Sequence, residues 1–142
     1  MMTLAKLLDG KGRTIHAIKP DEPVLEAVRR MAEHHIGALL VMEGDVMCGI
    51  VSERDYARKV VLMGRSSPAT PIRDIMTSPV ISIGDDASVE DAMREMTERR
   101  IRHLPVMRGA RVVGMVSIGD LVKCVIEDQR HLIEDLQTYI RG

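Results

Sequence analysis

A serine and an aspartate three residues apart occur twice in the same setting, in "GIVSERD" at 49–55 and in "GMVSIGD" at 114–120. A strand that runs into a helix start leaves free backbone N–H groups at the positive end of the helix dipole, and that end attracts anions. A serine hydroxyl there can bind phosphate or a sugar hydroxyl. An aspartate can accept both hydrogen bonds of a ribose diol. The candidate residues are therefore Ser52 and Ser117 for phosphate and Asp55 and Asp120 for a diol. A phosphate also wants a cation. Arg54 lies inside the first motif, and Arg102 and His103, in "IRHLPV", open a strand of the second copy. The same Ser-x-x-Asp spacing resembles a capping box with Asp in the Glu place, so capping alone is the competing reading. Arg99, Arg100 and Arg108 suit a solvated face equally well.

These residues sit in a duplicated unit. Sliding residues 15–60 forward by 65 positions gives 17 identities in 46 without a gap, among them Ile18/Ile83, Met31/Met96, Gly49/Gly114 and Asp55/Asp120. Each copy predicts the order β-α-β-β-α. A short strand comes first, "TIHAI" at 14–18 or "VISI" at 80–83. A helix follows, with Val24, Ala27, Val28, Met31 and His35, or Val89, Ala92, Met93 and Met96, at helical spacing with one apolar face. Two strands then meet through Gly44 or Gly109, which suggests a hairpin. A second helix closes each copy. About 50 residues bury too little alone, so the two sheets are expected to pack face to face about a pseudo-twofold axis, making one α+β module.

The predicted divisions are an N-terminal segment 1–13, a first motif 14–63, a linker 64–79, a second motif 80–127 and a C-terminal helix extension 128–142. The N-terminal segment, "MMTLAKLLDGKG", reads as a short amphipathic helix closed by Gly10 and lacks the apolar stretch of a signal peptide. The linker carries three prolines, with "IRDIM" as one helical turn. The last helix outruns its twin. Its stripe of Leu121, Val125, Leu132, Leu136 and Ile140 either folds back on the module or forms a subunit interface.

Composition narrows the classes. The chain has 142 residues, 45% hydrophobic and 29% charged, with no Phe or Trp, so its core is aliphatic. A net charge of −1 gives no global field for nucleic acid, despite the cluster around Arg102. No apolar run approaches the roughly 18 residues of a membrane span. Cys48 and Cys124 fit reduced thiols of a cytoplasmic protein rather than a metal or redox pair. No nucleophile elbow, Walker loop or HExxH is present, which argues against an enzyme. His34 and His35 are adjacent on a helix and point in different directions, as metal ligands would not.

The duplicated unit, the two Ser-x-x-Asp motifs and "IRHLPV" together resemble a tandem pair of CBS domains, the Bateman module, over roughly residues 12–127. "SERDYARKV" is similar to the first copy of stand-alone bacterial CBS-pair proteins. The resemblance implies a regulatory module without chemistry, which binds an adenosine ligand and changes shape or association. AMP is the first expectation; ADP, ATP, NAD(H) and S-adenosylmethionine belong to the same class. It implies that Asp55 and Asp120 hold ribose, and that Ser52, Arg54, Arg102, His103 and Ser117 hold phosphate. It places Thr14, Ile15, Ile50, Thr77, Val80 and Met115 around adenine. It further implies a homodimer, and an effector protein is a further expected partner. The copies differ, since Arg54 becomes Gly119 while Arg102 and His103 replace Gly37 and Ala38, so the sites are expected to be inequivalent. The alternative is a purely structural dimerisation module with no nucleotide ligand.

Overall fold

The computed structural model describes residues 2–141. The chain forms two compact units, one of residues 14–81 and one of residues 1–13 with 82–142.

In the first unit, β1 (Ala17–Ile18) pairs parallel with β2 (Ala38–Glu43), and β2 pairs antiparallel with β3 (Val46–Ser52). Gly44 turns the hairpin at φ 63°, a conformation cheap only for glycine. Helix α2 (Val24–His34) lies between β1 and β2 in the chain, and its stripe of Val24, Ala27 and Met31 is buried. The helix α3 (Glu53–Tyr56) follows β3 and continues as a π-helical turn over Ala57–Val61. The second unit repeats the order with β4 (Ile83–Gly84), α4 (Val89–Arg99), β5 (His103–Arg108), β6 (Arg111–Ser117) and α5 (Ile118–Arg141). Its sheet has the matching order β4-β5-β6, with a register shift at Val106/Met107 where the first unit has one at Val41/Met42. The β-α-β-β-α reading thus holds in both copies. The first strand of each copy is shorter than expected, because only two residues find parallel partners, Leu40 and Val41 for β1 and Val106 and Met107 for β4.

Each unit is completed by the segment that precedes the other copy. Helix α1 (Leu4–Lys11) belongs to the second unit, where the Leu4 N–H donates to the Ala87 carbonyl and the Val89 N–H to the Met2 carbonyl, at 2.9 and 3.0 Å. In the first unit the Ile72 N–H donates to Glu22 and the Val24 N–H to Thr70, both at 2.9 Å. Leu4 and Ile72 therefore occupy equivalent places, and both are fully buried. We refer to these two segments as straps. Ile72 and Ile75 join Ile18, Val24, Met31, Leu39, Val41 and Val51 in one core. Gly10 does not end α1. The helix runs to Lys11, and Gly12 at φ 107° supplies the stop, its N–H donating to the Leu8 carbonyl at 2.7 Å. "IRDIM" does contain one turn, a 3-10 turn over Ile72–Asp74.

The repeated glycine of each motif is a packing device. A Cβ on Gly49 would stand 2.6 Å from the Met76 sulfur, and one on Gly114 would stand 2.8 Å from Leu8 methyls. The strap of each unit crosses its strand at that point, and a Cβ there would force the facing strap side chain to shift.

Helix α5 packs only its first two turns, through Leu121 and Cys124. Beyond Cys124 the chain does not fold the stripe back: Leu132, Leu136 and Ile140 are 60%, 52% and 81% exposed.

Candidate functional site

Ser52 and Ser117 both cap helices. The Asp55 N–H donates to Ser52 Oγ at 3.2 Å, and the Ser52 N–H donates to Asp55 Oδ2 at 2.9 Å. The Asp120 N–H donates to Ser117 Oγ at 3.2 Å, and the Ser117 N–H to Asp120 Oδ2 at 2.8 Å. A third box of the same type, Ser88 with Asp91, opens α4. There the Ser88 backbone N–H and then its hydroxyl hold the Asp91 carboxyl below the usual carboxylate range. Ser-x-x-Asp is therefore sufficient as a cap, and what surrounds the carboxylate must distinguish a site from a cap.

The surroundings of Asp55 and Asp120 do differ from those of Asp91. The strap of the first unit delivers Thr77, whose Oγ1 donates to Asp55 Oδ1 at 3.2 Å. Thr77 also exchanges two backbone hydrogen bonds with Ile50, at 2.8 and 3.1 Å. Lys59, on the π-helical turn, places Nζ 3.0 Å from Asp55 Oδ1 and 2.9 Å from the Ile75 carbonyl. Asp55 thus engages both its oxygens and is only 12% exposed. In the second unit the strap delivers Lys11. Its Nζ donates to Asp120 Oδ2 at 2.7 Å and to the Met115 carbonyl at 2.6 Å. Asp120 is 25% exposed, and the bonds from Lys11 and Ser117 fall on the same oxygen. Burial pushes the Asp120 carboxyl up, but the Lys11 hydrogen bond, the Ser117 N–H, the Lys11 charge and the Ser117 hydroxyl bring it below the usual range.

The expected site residues distribute as follows. Ile50, Ser52, Asp55 and Thr77 converge in the first unit. Thr14, Ile15 and Val80 belong to that unit too, on irregular segments next to β1 and β4, with Thr14 exposed and Ile15 and Val80 half-buried. Arg54 is exposed on the first turn of α3. In the second unit Met115, Ser117 and Asp120 lie along the end of β6 and the start of α5. His103 is the cross-strand neighbour of Ser117, and the carbonyl of exposed Arg102 accepts from the Ile118 N–H at 2.8 Å. Sequence reasoning missed Lys11 and Lys59, which pair with the motif aspartates. Lys59 had a signal, its i,i+4 spacing from Asp55. Lys11 had none, because it lies outside the repeat.

A separate open hollow of about 410 Å³ lies in the first unit, lined by Val28, Met31, Ala32, Ile36, Glu53 and Tyr56 among others, and it does not include Asp55. Among the described residues, no group of three or more His, Cys, Asp or Glu side chains could hold a metal ion. Both cysteines are free thiols, and burial raises the pKa of each. No helix among the described residues is long and apolar enough to cross a membrane.

Comparison with known proteins places this architecture. The CBS domain model matches residues 12–62 and 72–127. The chain belongs to the CBS-domain family. It is 38% identical over 149 aligned positions to the mitochondrial CBS domain-containing protein CBSX3 of Arabidopsis thaliana, covering 99% of this chain and 72% of that protein. It is 30% identical to the CBS domain-containing protein YhcV of Bacillus subtilis, covering 83% and 84%. Among solved structures, a protein with CBS domains from Burkholderia ambifaria shares 50% identity, with a TM-score of 0.87 over 90% of this chain and 96% of that one. The CBS domain pair of MJ0100, solved with 5′-methylthioadenosine and S-adenosylmethionine, has the same fold at 22% identity, with a TM-score of 0.80 over 90% and 98%. The tandem CBS reading is therefore established, and each unit is one CBS motif closed by its strap.

Proposed function

We propose that this CBS pair is a regulatory module that binds an adenosine-containing ligand and changes shape or association in response. The observation that carries the reading is the surroundings of Asp120. A partly exposed carboxylate sits beside a strand carbonyl, that of Met115, with an ammonium between them. A carboxylate next to a backbone acceptor suits the diol and amine donors of a nucleoside, and a nearby cation suits its phosphate. A CBS pair of the same fold accommodates methylthioadenosine and S-adenosylmethionine, which supports the ligand class at the level of the fold.

In this reading Asp120 and Asp55 take ribose, and Ser52, Arg54, Arg102, His103 and Ser117 take phosphate. Thr14, Ile15, Ile50, Thr77, Val80 and Met115 line adenine. Both serine hydroxyls already serve as caps, so a phosphate at Ser52 or Ser117 would share the hydroxyl with the helix. AMP is the leading ligand, with ADP, ATP and NAD(H) as alternatives of the same class. The module acts as a homodimer in a cytoplasmic setting and reports ligand state to an effector protein.

A thermal-shift panel of AMP, ADP, ATP, NAD⁺, NADH, S-adenosylmethionine and GTP tests the reading. A ligand at a hundred times its Kd adds about 2.7 kcal/mol, a shift of roughly 5–10 °C for a chain of this size. Such a shift for an adenosine ligand, absent for GTP and lost in Asp120→Ala, is the expected result. No shift for any adenosine ligand would leave the motifs as helix caps. The second reading, a purely structural dimerisation module, would then stand on the exposed stripe of α5.

A further inference from the structure

The Lys11 ammonium occupies two acceptors at once, Asp120 Oδ2 at 2.7 Å and the Met115 carbonyl at 2.6 Å. A nucleoside that places its donors on these atoms cannot do so while Nζ is there. Lys11 must move before Asp120 is available, and the chain permits the movement. The lysine is 39% exposed, it ends α1, and it lies between Gly10 and Gly12, where no more distant part of the chain comes within 4 Å of an added Cβ. The helix itself is anchored elsewhere, through buried Leu4, Leu7 and Leu8. The side chain can therefore swing while the strap stays in place.

Displacement has a consequence that depends on ligand charge. A neutral nucleoside breaks the Lys11–Asp120 pair and offers the ammonium nothing in return. A cationic ligand also repels the displaced ammonium. A ligand bearing a phosphate within reach of the flexible four-carbon stem gives that ammonium a new partner. The first unit is built differently. There the strap supplies neutral Thr77, and the cation is Lys59 of the repeat itself, tied to the Ile75 carbonyl.

From this geometry, and resting on the adenosine-ligand reading above, we infer that Lys11 is a specificity-determining residue of the Asp120 site, a built-in competitor that selects anionic adenosine ligands over neutral and cationic ones. The selection is local to the second unit. It arises from the strap and not from the repeated motif.

Calorimetric titration of the full chain with AMP, adenosine and S-adenosylmethionine tests this. Lys11→Met should bind adenosine and S-adenosylmethionine more tightly than wild type and lose part of its preference for AMP over adenosine. The expected change in that ratio is about three- to tenfold, the range of a partly exposed ion pair with one charged hydrogen bond. Lys11→Arg should keep the preference, and Lys6→Met, at an exposed lysine of the same helix, should leave it unchanged. A ratio that stays the same in Lys11→Met, with ligands still binding, overturns the role of Lys11 and leaves the nucleotide reading intact. Absence of binding by every ligand to wild type and Lys11→Met alike overturns both.

Discussion

The Lys11 ammonium lies 2.7 Å from Asp120 Oδ2, although Lys11 belongs to neither repeated motif. The pair ties α1 to the start of α5 and lowers the pKa of the Asp120 carboxyl, whose bonds from Lys11 and Ser117 fall on the same oxygen. It also makes the two copies inequivalent in a way unrelated to Arg54, Arg102 or His103. The cation beside the motif aspartate comes from the strap in the second unit and from the repeat itself in the first.

The pair predicts a pH dependence. The folded-state pKa of Asp120 is lowered, so its contribution to stability is present above the unfolded value of about 3.9 and is lost as pH falls through the folded value. Lys11→Met removes the two lowering influences of the lysine and leaves those of Ser117 to oppose burial, which raises the pKa. The stability gap between wild type and Lys11→Met should therefore be widest at neutral pH and shrink below about pH 4. Urea unfolding midpoints across that range check it. A gap that stays constant into acid would mean that the lysine acts through packing and not through its charge.

Caps can be separated from the site by comparing two serines. Ser88→Ala removes a cap whose carboxylate, Asp91, pairs with Arg94 of its own helix, and should cost about 1 kcal/mol without changing ligand affinity. Ser117→Ala should cost a similar amount of stability and also weaken a phosphorylated ligand. Equal binding by the two variants would reduce Ser117 to its cap.

The straps show where the sequence was readable and where it was not. The repeat and the apolar faces of α2 and α4 were legible because identities such as Met31/Met96 and Ala27/Ala92 recur in register. The hairpins were legible from Gly44 and Gly109, whose φ values of 63° and 61° only glycine adopts readily. The straps share no identity that marks them as equivalent. One is an α-helix and the other a 3-10 turn after Pro71, and what they share is backbone hydrogen bonding and burial of Leu4 and Ile72. Non-local pairing of that kind leaves no periodic trace in the chain, so Gly10 looked like the end of a helix and nothing marked Lys11. The identity Gly49/Gly114 was visible, but its reason was not, because the atoms it makes room for lie in the straps.

Those glycines give a graded prediction. Gly114→Ala drives a Cβ to 2.8 Å from Leu8, which is branched and fully buried, so the strap must shift. Gly49→Ala meets Met76, an unbranched and half-buried side chain that can rotate away. Gly114→Ala should cost about 1–3 kcal/mol, the usual range for overpacking, and Gly49→Ala less. Thermal unfolding of the two variants decides the order. The reverse order would mean that Leu8 has more room to move than its burial allows.

The C-terminal helix makes the last prediction. From Glu127 to Arg141 every residue of α5 is exposed, yet Leu132, Ile133, Leu136, Tyr139 and Ile140 are apolar or aromatic. Leu132, Leu136 and Ile140 follow one another at four-residue steps and form a stripe along one face, with Ile133 and Tyr139 beside it. An isolated helix of this length gains little in water from propensity alone, so its order calls for an apolar partner. A second copy supplies one of the same chemistry, by setting stripe against stripe across a twofold axis. Ending the chain after Asp128 should therefore lower the mass measured by light scattering from dimer to monomer. It should leave the unfolding transition of the monomeric units nearly unchanged, because the removed residues bury nothing within their own chain. A dimer that survives the truncation would assign self-association to another face, and a full-length chain that is monomeric at high concentration would remove the dimer altogether.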